Sequence, residues 1–137
     1  MSSISDSVTV DTNDTKGYSL TLNNSDTSTA LDNGAAGLIP AHAGTPASPS
    51  DLAVNTWGFR VDGLGAFGTG TTTETNVSTS AFTWAGIPAS TSPQQIKSTT
   101  AAGTGSATTV WYGVKADGTN PDGSYIDTVT YTATVNP

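Results

Sequence analysis

Polar and apolar residues alternate with a period of two along much of this chain, and no apolar 3.6-residue period persists beyond a turn or two. Alternation of that kind sends successive side chains to opposite faces of a strand. Residues 7–12 place Val8 and Val10 on one face, and residues 17–24 place Tyr18, Leu20 and Leu22 together with Ser and Thr opposite. Residues 56–62 align Trp57, Phe59 and Val61, and residues 81–85 alternate Phe82 with Trp84. Residues 107–116 align Val110, Tyr112 and Val114 and leave Trp111 in the opposite phase. Residues 124–135 alternate throughout, with Tyr125, Asp127, Val129, Tyr131, Ala133 and Val135 against Ile126 and a row of Thr. Each pattern predicts a strand with one buried and one wet face.

The segments between them are rich in turn residues. Asn13-Asp14-Thr15-Lys16 predicts a hairpin turn, and Asp117 to Gly123 is dense in Asp, Asn, Gly and Pro. Residues 25–55, 63–80 and 86–106 are predicted as long loops, with a short helical turn starting at Ser50. Six or more strands, no long helix and long connections predict an all-β fold: a single antiparallel β-sandwich spanning residues 1–137, immunoglobulin-like or jelly-roll-like. Trp57-Gly-Phe-Arg-Val-Asp-Gly63 echoes Trp111-Tyr-Gly-Val-Lys-Ala-Asp-Gly118, which two strands leaving a sheet through Asp-Gly turns explain without duplication.

Composition narrows the class. Thr and Ser number 26 and 16, and Gly 15, against 11% charged residues. Glu74 is the sole Glu and Lys plus Arg total 4, which excludes a coiled coil and a basic nucleic-acid binder. The net charge of -7 disfavours phosphate backbones and anionic membranes, and no 18-residue apolar run exists to span one. Zero Cys excludes thiol catalysis, Cys-ligated zinc and disulfides. No basic-then-apolar leader follows Met1, so the chain is expected to be a mature or excised form, or cytosolic; the Ser/Thr/Gly/Asn bias favours an extracellular bacterial surface protein.

Candidate chemistry is sparse. The one His, His42, sits in a small-residue loop, and no Gly-x-Ser-x-Gly elbow occurs, so no enzyme is expected. Asp11, Asn13 and Asp14, and more so Asp117, Asn120 and Asp122, gather oxygen ligands, but neither loop has the alternating spacing and distal Glu of an EF-type loop; turn chemistry explains both, and calcium is the weaker reading. No other cofactor is implied. Trp57 and Trp84 read as core, whereas Trp111 is the candidate for stacking on glycans, or covers a sandwich edge. Lys16, Lys97 or Lys115 would need burial beside an Asn and an acid to form an isopeptide link. Asn13, Asn23 and Asn76 begin glycosylation triplets of a kind expected by chance in so Thr/Ser-rich a chain.

The last strand carries a resemblance. Gly123-Ser-Tyr125-Ile-Asp-Thr-Val129-Thr130-Tyr131-Thr-Ala133-Thr-Val-Asn-Pro137 resembles the closing strand of bacterial WxL-type cell-surface domains, with Val129, Tyr131 and Ala133 where those have Leu, Trp and Leu. The same strand is similar to the ending of spore coat U and related pilin-like domains. Both resemblances imply a non-catalytic β-sandwich of the bacterial envelope, structural or adhesive: the first implies attachment to peptidoglycan, the second assembly into fibres. For assembly, the strand carrying Val8 and Val10 can pair with a neighbouring copy by donation of residues 1–12, or dock on its own sheet. The expected partners are therefore other copies of the chain or a surface glycan, with no nucleic acid and no membrane insertion.

Overall fold

Tyr18, Leu20 and Leu22 are all but fully buried, packed with Trp57, Phe59, Val61, Ile96 and Val110 in one cluster. That cluster lies between two antiparallel sheets, so the apolar faces expected from the alternation meet across one interior. A computed structural model describes residues 1–34 and 37–137. Its strands are β1 (Ser2–Thr12), β2 (Tyr18–Asn24), β3 (Leu31–Asp32), β4 (Leu38–Ile39), β5 (Thr56–Arg60), β6 (Gln94–Ser98), β7 (Gly103–Lys115) and β8 (Val129–Val135). One sheet has the order β1-β7-β5 and the other β6-β2-β8, with β3 and β4 forming a small two-stranded ribbon. The fold is all-β, sandwich-like and antiparallel, and no helix occurs among the described residues.

The six longer strands alternate between sheets at every step: β1, β5 and β7 belong to one, β2, β6 and β8 to the other. Asn13–Lys16 is therefore an arch and not the predicted hairpin. The turn itself forms as expected, with the Gly17 amide donating to Asp14 O at 3.1 Å and Gly17 at φ +78°. Turn residues specify reversal of the chain; whether the next strand pairs or crosses over depends on which apolar faces meet.

Other boundaries also differ: β3 and β4 form within the predicted 25–55 loop, and β7 begins at Gly103, inside the predicted 86–106 loop, instead of at 107. β1 begins at Ser2, because Ser2 to Val10 pair in unbroken register with Val114 to Ser106 of β7. β6 arises within the predicted 86–106 loop, since only Ile96 of Gln94–Ser98 reaches the core and the period is weak. Residues 81–85 form no strand, only single bridges from Trp84 to Ser50 and from Ala85 to Phe59, and the segment from Ser50 makes that bridge instead of a helical turn. The ladder of β8 starts at Val129, because Ile126 bridges Asp32 in β3.

The outer face of β1-β7-β5 is covered by the 63–86 loop. On β5 the residues facing opposite to Trp57 and Phe59 are Gly58 and Arg60, and both are buried. A Cβ at Gly113 would lie 2.9 Å from the Trp84 ring, so Gly there lets the indole lie flat on the sheet. Trp84 is fully buried as expected, but outside the inter-sheet cluster.

Arg60 organises this layer. It is 1% exposed, donates to Phe67 O at 2.9 Å, Thr83 O at 3.3 Å and Asp62 at 3.2 Å, and lies over the Phe82 ring at 4.9 Å. Asp62 in turn accepts from the amides of Gly70 at 2.8 Å and Thr71 at 3.1 Å, and from the Thr71 hydroxyl. These bonds hold the Asp62 carboxyl below its usual range, against the opposing effect of burial. Glu74 pins the next segment, accepting from Ser80 Oγ at 2.6 Å and the Ala81 amide at 2.7 Å, while its own amide donates to Ser3 Oγ at 2.9 Å and its carbonyl accepts from the Ser3 amide at 2.9 Å.

Arg60→Lys is expected to lower unfolding free energy by about 2 kcal/mol, because a lone ammonium cannot reach carbonyls on both sides of the loop as the fork does. The check is the urea midpoint with unchanged slope. An unaltered midpoint would show that the layer does not depend on the guanidinium.

Candidate functional site

An apolar groove of about 490 Å³ opens along one flank of the sandwich, between the β1 edge of one sheet and the β8 edge of the other. Its floor is Trp57, Tyr112 and Val114; its walls include Ile4, Leu31, Val129 and Tyr131; Asp6 and Asp127 stand at its margin. The alternation explains the lining. The even residues of β1 and β7 and the odd residues of β8 all face inward, and at this flank the sheets do not close over them. Ile4 consequently stays 70% exposed, although its register partner is Tyr112.

Across the groove floor Tyr112 of β7 and Tyr131 of β8 share a hydroxyl–hydroxyl hydrogen bond that ties one sheet to the other. Trp57 stacks on Tyr112 with ring centroids 6.4 Å apart, and its Nε1 donates to Thr29 O at 2.8 Å. Burial, the bond to Tyr131 and the nearby Asp6 carboxylate push the Tyr112 hydroxyl far above its ordinary range. Burial also raises Tyr131, with Asp6 adding to the rise and the bond to Tyr112 opposing it. On the β8 side, Asn24 Nδ2 donates to Asp127.

The other sequence-predicted residues are spread over the molecule. Trp111 lies half-buried on the outer face, register partner of Arg60, beside Asp62, Lys97 and Thr109 around a hollow of about 380 Å³. Asp117 closes its own turn, accepting from Thr119 N at 2.9 Å and Thr119 Oγ1 at 2.5 Å; its carboxyl is held low by Thr119 and by the link to Asn55. The main-chain N–H of Asn120 donates to Asp117 O at 3.4 Å, whereas Asp122 is exposed. No cluster of three His, Cys, Asp or Glu occurs among the described residues. Val8 and Val10 pack on the core from β1, paired with Thr108 and Ser106 of the same chain. Lys16 is exposed, and Lys97 and Lys115 are half-buried, with Lys97 Nζ donating to Ala107 O at 2.8 Å. Asn23 is buried in β2, while Asn13 and Asn76 are exposed.

His42 is buried and meets Ser50, with Nε2 and Oγ 2.9 Å apart. The Ala53 amide donates to Nδ1 at 3.5 Å, which places the ring proton on Nε2, pointing at the serine. In that tautomer the imidazole donates to the hydroxyl and does not draw a proton from it. Desolvation lowers the His42 pKa, opposed by a bond to Ser50, so the ring is neutral at pH 7. The orienting partner at Nδ1 is an amide, where a nucleophilic triad has a carboxylate.

Compared with known proteins, the chain matches no family model, no curated protein and no solved structure. The groove and its lining were not foreseen from the sequence. Tyr112 and Tyr131 each read as inward-facing, but their meeting follows only from the sheet assignment. Arg60 had a signal, being a lone charge between Phe59 and Val61 in a strand.

The tyrosine pair sets an alkaline limit. The unfolded chain ionises these hydroxyls near 10.0 and the folded chain only above that, so stability is full below about pH 10 and falls as pH rises further. Tyr131→Phe is expected to cost about 1 kcal/mol at neutral pH and to reduce the alkaline loss. Denaturant midpoints at about pH 8 and about pH 11 measure both. Equal alkaline losses in the two proteins would remove the pair from the explanation.

Proposed function

We propose that this chain is a non-catalytic structural or adhesive domain of a bacterial cell surface. The observation that carries the reading is how its reactive groups are employed. Arg60, Asp62, Glu74 and His42 are each bonded to loop backbone or hydroxyls, and so hold loops against the sheets. The groove offers apolar side chains with two marginal carboxylates and contains neither His nor Ser50. The Ser/Thr-rich, Lys-poor acidic composition and the resemblance of residues 123–137 to envelope domains support the location and the adhesive role.

Two assays test it together. The purified chain is expected to co-sediment with bacterial sacculi, and Ser50 to remain unlabelled by a fluorophosphonate. Stoichiometric labelling at Ser50 that His42→Gln abolishes would overturn the non-catalytic reading; absence from the pellet at every concentration would remove wall attachment.

A second reading, a fibre subunit exchanging β1, is favoured by one feature: β1 is an edge strand whose Val8 and Val10 cover the core. Because β1 is fully paired with β7 of its own chain, donation would be an exchange of that strand. Ser7 and Thr109 face each other as a pair without mutual hydrogen bonds, close enough for a disulfide. If β1 is exchanged, Ser7→Cys with Thr109→Cys forms filaments by negative-stain microscopy only when reduced. Filaments assembled from protein already oxidised as a monomer would exclude exchange.

A further inference from the structure

The two sheets have four edge strands, and three of these are protected. The β5 edge is bridged by Ala41 and Ala85. The β1 edge is met at Ser3 by Glu74, carries Asp6 pointing inward, and has Asp11 near its end. The β6 edge is short and bears Lys97. Covering, inward charge and edge lysine are the devices by which proteins keep sheet edges from pairing. The β8 edge has none of them: Val129–Val135 reads Val-Thr-Tyr-Thr-Ala-Thr-Val, without charge, Pro or Gly.

Its open side can be identified. The Asn136 amide donates to Gly17 O and the Ser25 amide to Thr128 O, so the even residues turn their main chain toward β2. Val129, Tyr131, Ala133 and Val135 therefore direct N–H and C=O outward, and these groups have no partner among the described residues.

We propose that this edge is where a second copy of the chain docks, β8 against β8 in antiparallel two-fold pairing centred on Thr132. The inference deepens the structural reading above and rests on it. Three observations select this occupant. The segment is close to a palindrome about Thr132, so a two-fold axis there sets Val129 against Val135, Thr130 against Thr134 and Tyr131 against Ala133. Such pairing satisfies every outward main-chain group of the four odd residues. It also brings Val135, 59% exposed on the inner face, beside the partner's Val129 at the groove wall. Finally, each copy carries a net charge of -7, so self-association is opposed wherever charged surfaces meet; β8 is a charge-free line of contact.

Register provides the test, because the chain has no Cys of its own. In the proposed ladder Thr132 faces its own symmetry mate as a pair without mutual hydrogen bonds, the geometry that admits a disulfide. Thr132→Cys is expected to oxidise to a covalent dimer. Thr130→Cys and Thr134→Cys should each form no covalent dimer alone and cross-link when mixed, and Thr9→Cys on the β1 edge should not cross-link in either case. Independently, Ala133→Pro removes an outward donor while sparing the ladder to β2, and is expected to weaken dimerisation at least about tenfold in sedimentation equilibrium. A chain that is monomeric at all concentrations overturns the proposal. So does cross-linking of Thr132→Cys no faster than Thr9→Cys, or a dimer that Ala133→Pro leaves intact while circular dichroism reports a folded protein. Binding to sacculi without any β8 cross-link would leave the surface-domain reading standing and remove this one.

Discussion

A guanidinium shut off from water must find its partners in the chain around it, and Arg60 draws them from three places at once. The Phe67 and Gly68 carbonyls, the Thr83 carbonyl and the Asp62 carboxylate converge on it, and the rings of Phe67 and Phe82 flank it. Leaving any of these unpaired in the interior would cost more than the bond itself contributes. The Thr/Gly-rich 63–83 segment, which forms no strand of its own, is held down onto β5 by that requirement together with the packing of Phe67 and Phe82. Its arrival brings Trp84 over Gly113 and Glu74 to Ser3, so the start of β1 depends on it as well.

The sandwich therefore has its sheets treated unequally. The β1-β7-β5 sheet has a core on one face and a hydrogen-bonded loop layer on the other, while the β6-β2-β8 sheet shows rows of Ser and Thr to solvent. The apolar interior closes well where β2 meets β7: Val110 and Leu22 are completely buried. Toward β1 and β8 it opens into the groove, and the Tyr112–Tyr131 bond spans the gap where side-chain packing ends. The same flank carries the unguarded β8 edge, so unfilled apolar surface and unpaired main chain coincide.

Much of this was legible in the alternation. The faces carrying Tyr18, Leu20 and Leu22, Trp57 and Phe59, and Val110 were all assigned correctly, because a period of two with apolar residues on one side has a single physical reading in a half-buried strand. The absence of a long helix among the described residues followed from the same pattern, although the helical turn expected from Ser50 did not form. β6 escaped because one buried residue in five gives no period, and 81–85 misled because Phe82 and Trp84 alternate while serving a loop that packs on a sheet without joining it. Trp111 was placed outward correctly, but its neighbours Asp62 and Lys97 come from distant segments.

The sequence alone determined the class of structure, the inward faces and the turn sites, since these depend on residues a few positions apart. Tertiary structure decided everything that joins distant positions. None of the ladders among the longer strands links neighbours in sequence: β1 pairs β7, β7 pairs β5, and β2 pairs both β6 and β8. An arch and a hairpin use the same turn residues, and only the burial of two apolar faces against each other tells them apart. The groove, the tyrosine tie and the open β8 edge all descend from that choice, because each lies where strands far apart in the chain become neighbours.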